Sequence, residues 1–109
     1  WKYNIKELEK VKILRYENGG KYKWHTDCGS KETSTRKLTA VIQLSDETKY
    51  EGGDLEFGIT DDTGEKNYTA PRTRGSIIIF PSFLSHRVTP IVSGKRYSLI
   101  TWMNGDCFV

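Results

Sequence analysis

The chain contains two histidines, His25 and His86, and an acid, Asp27, follows the first of them after one residue. Residues at i and i+2 of a β-strand project from the same face, so His25 and Asp27 can enter one cavity. If His86 reaches that cavity from another strand, the three side chains form the two-histidine, one-carboxylate set suited to non-haem Fe(II), with three coordination positions open. The alternative for an isolated His-x-Asp pair is a surface hydrogen bond or salt bridge.

An arginine, Arg96, lies ten residues after His86 and past Gly94, where we expect a turn and then the neighbouring strand. Strand alternation places four side chains on one face, those of Arg96, Ser98, Ile100 and Trp102. A guanidinium inside a barrel is costly unless an anion neutralises it, and its planar fork pairs best with a carboxylate. This predicts a dicarboxylate-like co-substrate. The alternative is a structural salt bridge, for which the sequence offers two acids, Glu56 and Asp106.

Short strand-like segments must position these side chains. Most apolar runs after residue 10 are four to eight residues long, rich in β-branched and aromatic residues, and bounded by Gly, Asn, Asp or Pro. This strand count predicts a β-sandwich or barrel. The predicted strands are residues 11–16, 38–45, 53–57, 76–80, 86–91 and 96–103.

Two turns and one helix complete the predicted secondary structure. Asn18-Gly19-Gly20 predicts the tight turn of a hairpin, and Asp61-Asp62-Thr63-Gly64 predicts a second turn. The segment Trp1–Lys10 carries Ile5 and Leu8 at helical spacing, which predicts one short N-terminal helix on the sheet.

Length and composition limit the classes of protein. The 109 residues predict a single domain over 1–109, N-terminally truncated or minimal because the chain begins at Trp1 without Met. The net charge of +3 is too weak for a sequence-independent hold on nucleic acid. No apolar run approaches the ~20 residues of a membrane helix. Cys28 and Cys107 allow at most one disulfide, and no signal peptide is visible, so we expect a cytoplasmic protein.

Four motifs in order resemble the catalytic domain of the 2-oxoglutarate and Fe(II)-dependent dioxygenases. They are His25-x-Asp27, the segment 52–57 (GGDLEF), the segment 75–81 (GSIIIFP) leading to His86, and the segment 94–99 (GKRYSL). The resemblance covers roughly residues 10 to 104 and is greatest to the prolyl 4-hydroxylase type, which includes the PKHD-type hydroxylases of bacteria and phages. It implies a mainly β fold, the double-stranded β-helix of the jelly-roll and cupin kind.

The resemblance also implies roles for individual residues. The implied iron ligands are His25, Asp27 and His86. Arg96 would bind the distal carboxylate of 2-oxoglutarate, and the further residues near that co-substrate are Tyr16, Ser98 and Gln43, the last at a position where some relatives carry tyrosine. The implied walls of the substrate pocket, each of which is also an ordinary candidate for the core, are Val41, Leu55, Val88 and Trp102.

The activity implied by the resemblance is hydroxylation of prolyl residues in a peptide or protein. The implied cofactors are Fe(II), 2-oxoglutarate and O2, with ascorbate as a further candidate, and the co-substrate would leave as succinate and CO2. We expect the polar loop 29–36 to become ordered when substrate binds. The motifs leave open a free amino acid, another side chain or an alkylated nucleobase as substrate, and a non-catalytic metal-binding β-barrel module. We expect a bacterial or phage-encoded protein with no membrane partner, and a nucleic acid partner is disfavoured.

Overall fold

The computed structural model describes residues 4–29 and 33–106, and these residues form ten β-strands. The strands are β1 (Ile5–Leu8), β2 (Lys12–Glu17), β3 (Tyr22–His25), β4 (Arg36–Gln43), β5 (Tyr50–Gly52), β6 (Leu55–Asp61), β7 (Gly64–Thr69), β8 (Ile77–Pro81), β9 (His86–Val88) and β10 (Ile91–Gly105).

The prediction of a short N-terminal helix over residues 1–10 is wrong. Residues Ile5–Leu8 form strand β1, which pairs antiparallel with the end of β10 from Ile5 opposite Gly105 to Leu8 opposite Met103. A helix of this length is marginal on its own in water, whereas the edge of β10 offers backbone partners. The described residues contain no α-helix, and none of their elements is a helix long and apolar enough to cross a membrane.

The strands form two antiparallel sheets. The larger sheet has the order β1-β10-β4-β8, with β2 and β5 paired to other parts of β10. The smaller sheet has the order β3-β9-β6-β7. The two sheets enclose the core in the double-stranded β-helix that the sequence predicted. The buried apolar residues that pack together in its main cluster are Tyr16, Val41, Tyr50, Leu55, Phe57, Ala70, Phe80, Val88 and Ile91.

Most strands of the larger sheet pair with strand β10. It runs for 15 residues and pairs in turn with β5, then with β2 and β4, and then with β1. The predicted turn at Gly94 is absent from it. Instead Gly94, with φ of +76°, lies inside the continuous strand opposite Tyr50. Arg96 therefore lies in the larger sheet, whereas His86 lies in the smaller sheet, and the two are not on neighbouring strands as predicted.

The turn at Asn18-Gly19 forms, with positive φ at both residues, but it does not join a hairpin. Strand β2 pairs with β10 and strand β3 pairs with β9, so this turn carries the chain from one sheet to the other. Hydrogen bonds in both directions between Ile91 and the glycines of the turn hold it against β10. The second predicted turn is confirmed, because β6 and β7 form a hairpin that closes at Asp61 opposite Gly64.

Replacement of Gly94 tests the constraint on β10. A Cβ at this position would lie 2.2 Å from the carbonyl oxygen of Lys49, and the positive φ disfavours any L side chain. We expect Gly94→Ala to lower the free energy of unfolding by about 2–4 kcal/mol in urea titrations. The control is Gly64→Ala, which also has positive φ but has no atom within 4 Å of the added Cβ, so it should cost about 1 kcal/mol. Equal losses would contradict the close approach.

Candidate metal centre and anion pocket

Three side chains converge between the sheets. His25 ends β3, His86 begins β9, and the two are paired in register. The Oδ1 atom of Asp27 lies 3.3 Å from Nε2 of His25 and 3.4 Å from Nε2 of His86. One ligand atom from each residue lies within 4.8 Å of the other two, and Asp27 and His86 are buried. The cluster offers two nitrogens and one oxygen to a metal ion.

Asp27 reaches this position by a route other than strand alternation. Strand β3 ends at His25, and the backbone N–H groups of Asp27 and Cys28 both donate to the carbonyl oxygen of Ser82, at 2.8 and 3.0 Å. These two hydrogen bonds fix the bend after β3 that points the carboxylate inward.

A second layer of hydrogen bonds orients the three candidate ligands. Nδ1 of His25 lies 2.7 Å from the carbonyl oxygen of Lys23, and Nδ1 of His86 lies 2.9 Å from that of Leu84. Each Nδ1 therefore carries the proton, which leaves Nε2 for a metal. The hydroxyl of Thr39 donates to Oδ2 of Asp27 at 2.7 Å, so Oδ1 is the oxygen that faces the histidines.

The electrostatics of the cluster favour an ionised carboxylate. Burial alone would raise the pKa of Asp27, but hydrogen bonds from His25 and His86 outweigh it and hold that pKa well below its usual range. Burial opposes protonation of His25, yet its contact with Asp27 raises the pKa of its imidazole above the ordinary value. A metal ion held by Nε2 of each histidine would leave the contact of each Nδ1 with its carbonyl oxygen intact.

An aromatic side chain that the sequence analysis missed covers the cluster. The ring of Tyr22 lies 3.9 Å from the ring of His25, centroid to centroid. A register shift in β3 between these residues, which lie opposite Val88 and His86 of β9, accounts for their facing the same side although they are three apart. Tyr22 faces the cluster because β3 contains this bulge, and the alternation of residues along a strand does not reveal a bulge.

A cavity of about 200 Å³ opens beside the cluster, and both sheets contribute to it. Seven of the residues predicted for the co-substrate and the pocket line it together with the three candidate ligands. These seven are Tyr16, Val41, Leu55, Val88, Arg96, Ser98 and Trp102. The lining residues that the sequence analysis did not assign to the site are Lys12, Leu14, Tyr22 and Ile100.

Arg96 is a buried cation that lines this cavity, with 1% of its surface exposed. Its Nη2 donates to Oε1 of Gln43 at 3.1 Å, its guanidinium lies 5.2 Å from the ring centroid of Tyr16, and its Nε is buried without a hydrogen-bond partner. Burial lowers the pKa of the guanidinium, and the neighbouring Tyr16 and Tyr50 act in the opposite direction.

The salt-bridge alternative for Arg96 is wrong. Glu56 pairs with Arg87 at 2.6 Å and Asp106 pairs with Lys6 at 2.7 Å, so both of its candidate partners are engaged elsewhere. Across residues 4–29 and 33–106, no acid forms a salt bridge with Arg96. A buried guanidinium at a cavity wall, without an acidic partner in the described residues, is a candidate site for an anionic group.

Gln43 lies behind the guanidinium and is not among the described residues that line the cavity. Its Oε1 accepts from Arg96, and its Nε2 donates to the carbonyl oxygen of Pro71 at 3.1 Å. In this position Gln43 orients the guanidinium. A direct contact between Gln43 and the co-substrate stays a prediction.

Trp102 forms part of the cavity wall, and two cations lie over its ring. The guanidinium carbon of Arg36 lies 3.8 Å from the ring centroid and Nζ of Lys12 lies 5.4 Å from it. Arg36 is held in turn by both carboxylate oxygens of Glu9. Within the predicted substrate-ordered loop 29–36, residues 30–32 lie outside the described residues, so that expectation stays a prediction.

The comparisons with known proteins agree with this geometry. A family profile described as the 2OG-Fe(II) oxygenase superfamily matches residues 11–104. A PKHD-type hydroxylase of Synechococcus sp. strain CC9902 is 36% identical over 99 residues, which cover 91% of this chain and 43% of that protein. The chain thus spans less than half the length of the curated relatives it matches.

Two solved structures share the fold. A Pseudomonas putida prolyl-4-hydroxylase superposes with a TM-score of 0.77 and 23% identity, over 94% of this chain and 55% of that chain. A prolyl hydroxylase from Trichoplax adhaerens, in complex with a peptide fragment of the hypoxia inducible factor oxygen degradation domain, gives a TM-score of 0.76 with 20% identity, over 94% of this chain and 46% of that chain.

Removing the hydroxyl of Thr39 tests the second layer of the metal cluster. Thr39→Val keeps the shape of the side chain but deletes the hydrogen bond to Asp27, so we expect the affinity for a divalent metal to fall by about 10–100-fold. The measurement is a calorimetric titration with Fe(II) or Co(II) under anaerobic conditions. The control is Thr69→Val, at an exposed position of β7, which should bind as the wild type does. An unchanged affinity in Thr39→Val would show that this hydrogen bond does not orient Asp27 for metal binding.

Proposed function

The chain belongs to the 2OG-Fe(II) oxygenase superfamily, and from this premise we propose that it is a dioxygenase that hydroxylates prolyl residues of a peptide or protein, with 2-oxoglutarate leaving as succinate and CO2. The observation that carries the proposal is the pairing of the His25–Asp27–His86 cluster with the uncompensated cation of Arg96 in one cavity. A structural metal site needs no anion pocket beside it, whereas a keto-acid co-substrate needs both.

The residues present fit the cofactors that the family implies. The cluster supplies two neutral nitrogens and one carboxylate oxygen, the donor set of a ferrous site that keeps coordination positions open. Bound Fe(II) and 2-oxoglutarate would supply the electrons that activate O2 for insertion of one oxygen atom into a C–H bond. The residues proposed to hold the iron are His25, Asp27 and His86.

The chain's own part in the reaction is to bind and orient. Arg96 binds the distal carboxylate of 2-oxoglutarate, because its charge has no acidic partner within the described residues and pairs with carboxylates in a planar fork. Tyr16, directly opposite Arg96 on β2, and Ser98, two residues further on β10, line the same part of the cavity. The apolar side chains of Val41, Leu55 and Val88 are proposed to exclude water from the reacting atoms.

The proposed prolyl specificity is supported by the similar proteins and by one side chain of the cavity wall. The curated relatives are named PKHD-type hydroxylases, and one structural neighbour is a prolyl hydroxylase in complex with a peptide. Trp102 also contributes an apolar side chain to the cavity wall, and the guanidinium of Arg36, which lies over its ring, holds the indole in place. The cytoplasmic location stays a prediction.

The activity assay uses proline-containing peptides with Fe(II), 2-oxoglutarate, O2 and ascorbate as reductant. We expect an oxygen-atom mass gain on the peptide and succinate in equal amount, and His86→Ala should abolish both because it removes an iron ligand. A mass gain on a free amino acid or an alkylated nucleobase, with none on peptides, would move the substrate to those alternatives. Turnover in His86→Ala equal to the wild type would contradict the ligand assignment.

Truncation of Arg96 tests the co-substrate site. Arg96→Ala should raise the KM for 2-oxoglutarate by about 100-fold or more, because losing one partner of a buried charge pair costs about 2–5 kcal/mol. Its affinity for Fe(II) should stay near the wild-type value, since the guanidinium does not touch the metal cluster. The matched control is Arg74→Ala, at an exposed position outside the cavity, which should change neither quantity. An unaltered co-substrate dependence in Arg96→Ala would refute its assigned role.

A further inference from the structure

A second concave surface lies on the smaller sheet, beside the metal cavity. It is a groove of about 370 Å³ between the start of β3 and the end of β9. We call it the basic groove, and its lining residues are Lys21, Tyr22, Lys23, Trp24, Arg87, Val88, Thr89 and Pro90. The backbone bonds between Ile91 and the turn at residues 19–20 fix one end of it.

The basic groove borders the metal cavity, because Tyr22 and Val88 line both of them. The ring of Tyr22 stacks on His25, and half of its surface is exposed. A chain-like ligand that lies in the groove can therefore continue past Tyr22 to the metal side.

The charge of the groove is positive and only partly compensated. Arg87 is paired with Glu56 and lies 4.8 Å from the ring centroid of Trp24. Lys21 and Lys23 are exposed, and neither forms a salt bridge with an acid in the described part of the chain. The lining includes no acidic residue. The groove thus presents two available cations beside a partly exposed indole.

We propose that the basic groove binds an acidic side chain of the polypeptide substrate and so selects peptides that carry Asp or Glu to one side of the residue that enters the metal cavity. This inference rests on the proposed function, because it assigns a specificity to that same site. The carboxylate pairs with Lys21 and Lys23, and the indole of Trp24 packs against the neighbouring part of the peptide.

The same sheet argues against a nucleic acid in this groove. Residues 50–70 carry six acidic and one basic side chain, and three of the acids, Glu56, Asp61 and Glu65, lie on β6 and β7, the strands beyond β9. A polyanion that extended from the groove across this sheet would be repelled, whereas a peptide with one or two acids next to β3 would not. Lysines on an edge strand such as β3 also discourage pairing between copies of a sheet, and that role alone predicts no preference for acidic peptides.

The test measures binding rather than turnover. Fluorescently labelled peptides with a central proline carry one Glu at each flanking position in turn, and each has a partner peptide with Gln at that position. Fluorescence anisotropy with the full chain, Fe(II) and 2-oxoglutarate in the absence of O2 gives the affinities. We expect Glu to bind about tenfold more tightly than Gln on one side of the proline only, with the preference weakening as salt is added.

Charge reversal in the groove should remove the preference. The double variant Lys21→Glu/Lys23→Glu should bind the Glu and Gln peptides equally or favour Gln. The control Lys10→Glu/Lys49→Glu makes the same change in net charge at two exposed lysines outside both cavities, and it should keep the preference.

The outcomes separate this inference from the proposed function. Turnover of peptides without any charge preference would leave the proposed function standing and overturn the role of the groove. A charge preference that disappears in the groove variant, with no turnover of any peptide, would support the groove and refute the proposed function. Equal loss of preference in the control variant, or tighter binding of a single-stranded oligonucleotide than of every acidic peptide, would overturn the inference.

Discussion

The buried charge of Arg96 is the constraint on which the rest of the site depends. A guanidinium with 1% of its surface exposed and no described acid beside it destabilises a folded barrel. Tyr16, Tyr50 and Gln43 partly offset this cost through their contacts, but none of them is a carboxylate. The folded protein thus carries the free-energy cost of a buried positive charge. An anionic ligand that pairs with Arg96 neutralises this charge, so binding the ligand recovers that free energy.

Each of the two sheets contributes different residues to the site. The smaller sheet holds His25 and His86 on adjacent strands, and the larger sheet holds Arg96 on β10 and Thr39 on β4. The metal cluster and the anion pocket therefore face each other across the cavity, and their separation depends on how the sheets pack. The positive φ at Gly94 matters for this reason, because at this residue β10 pairs with β5, and from the next residue on it pairs with β2 and carries Arg96.

The scarcity of histidines and the family resemblance predicted the convergence of His25, Asp27 and His86, although a bend after β3 and not strand alternation brings Asp27 there. Strand alternation, a local signal, predicted the shared face of Arg96, Ser98 and Trp102. The sequence-based predictions were wrong where the choice of pairing strand determines the local structure. Residues Ile5–Leu8 lie in a segment with helical spacing but pair with β10, and the turn at Asn18-Gly19 connects the sheets instead of hairpin strands. A register shift brings Tyr22 onto His25. The engagement of Glu56 and Asp106 by other cations likewise became visible only in three dimensions.

The measurement that tests the central claim most directly is an anaerobic titration of the protein with Fe(II) and then with 2-oxoglutarate, followed by visible absorption. A keto acid chelated to ferrous iron gives a charge-transfer band that neither component gives alone, and no substrate is needed to see it. If the cluster and Arg96 act together, the band appears at stoichiometric co-substrate, and it is absent when the keto acid is replaced by succinate. Iron binding without the band would contradict the account and leave a metal-binding module in its place.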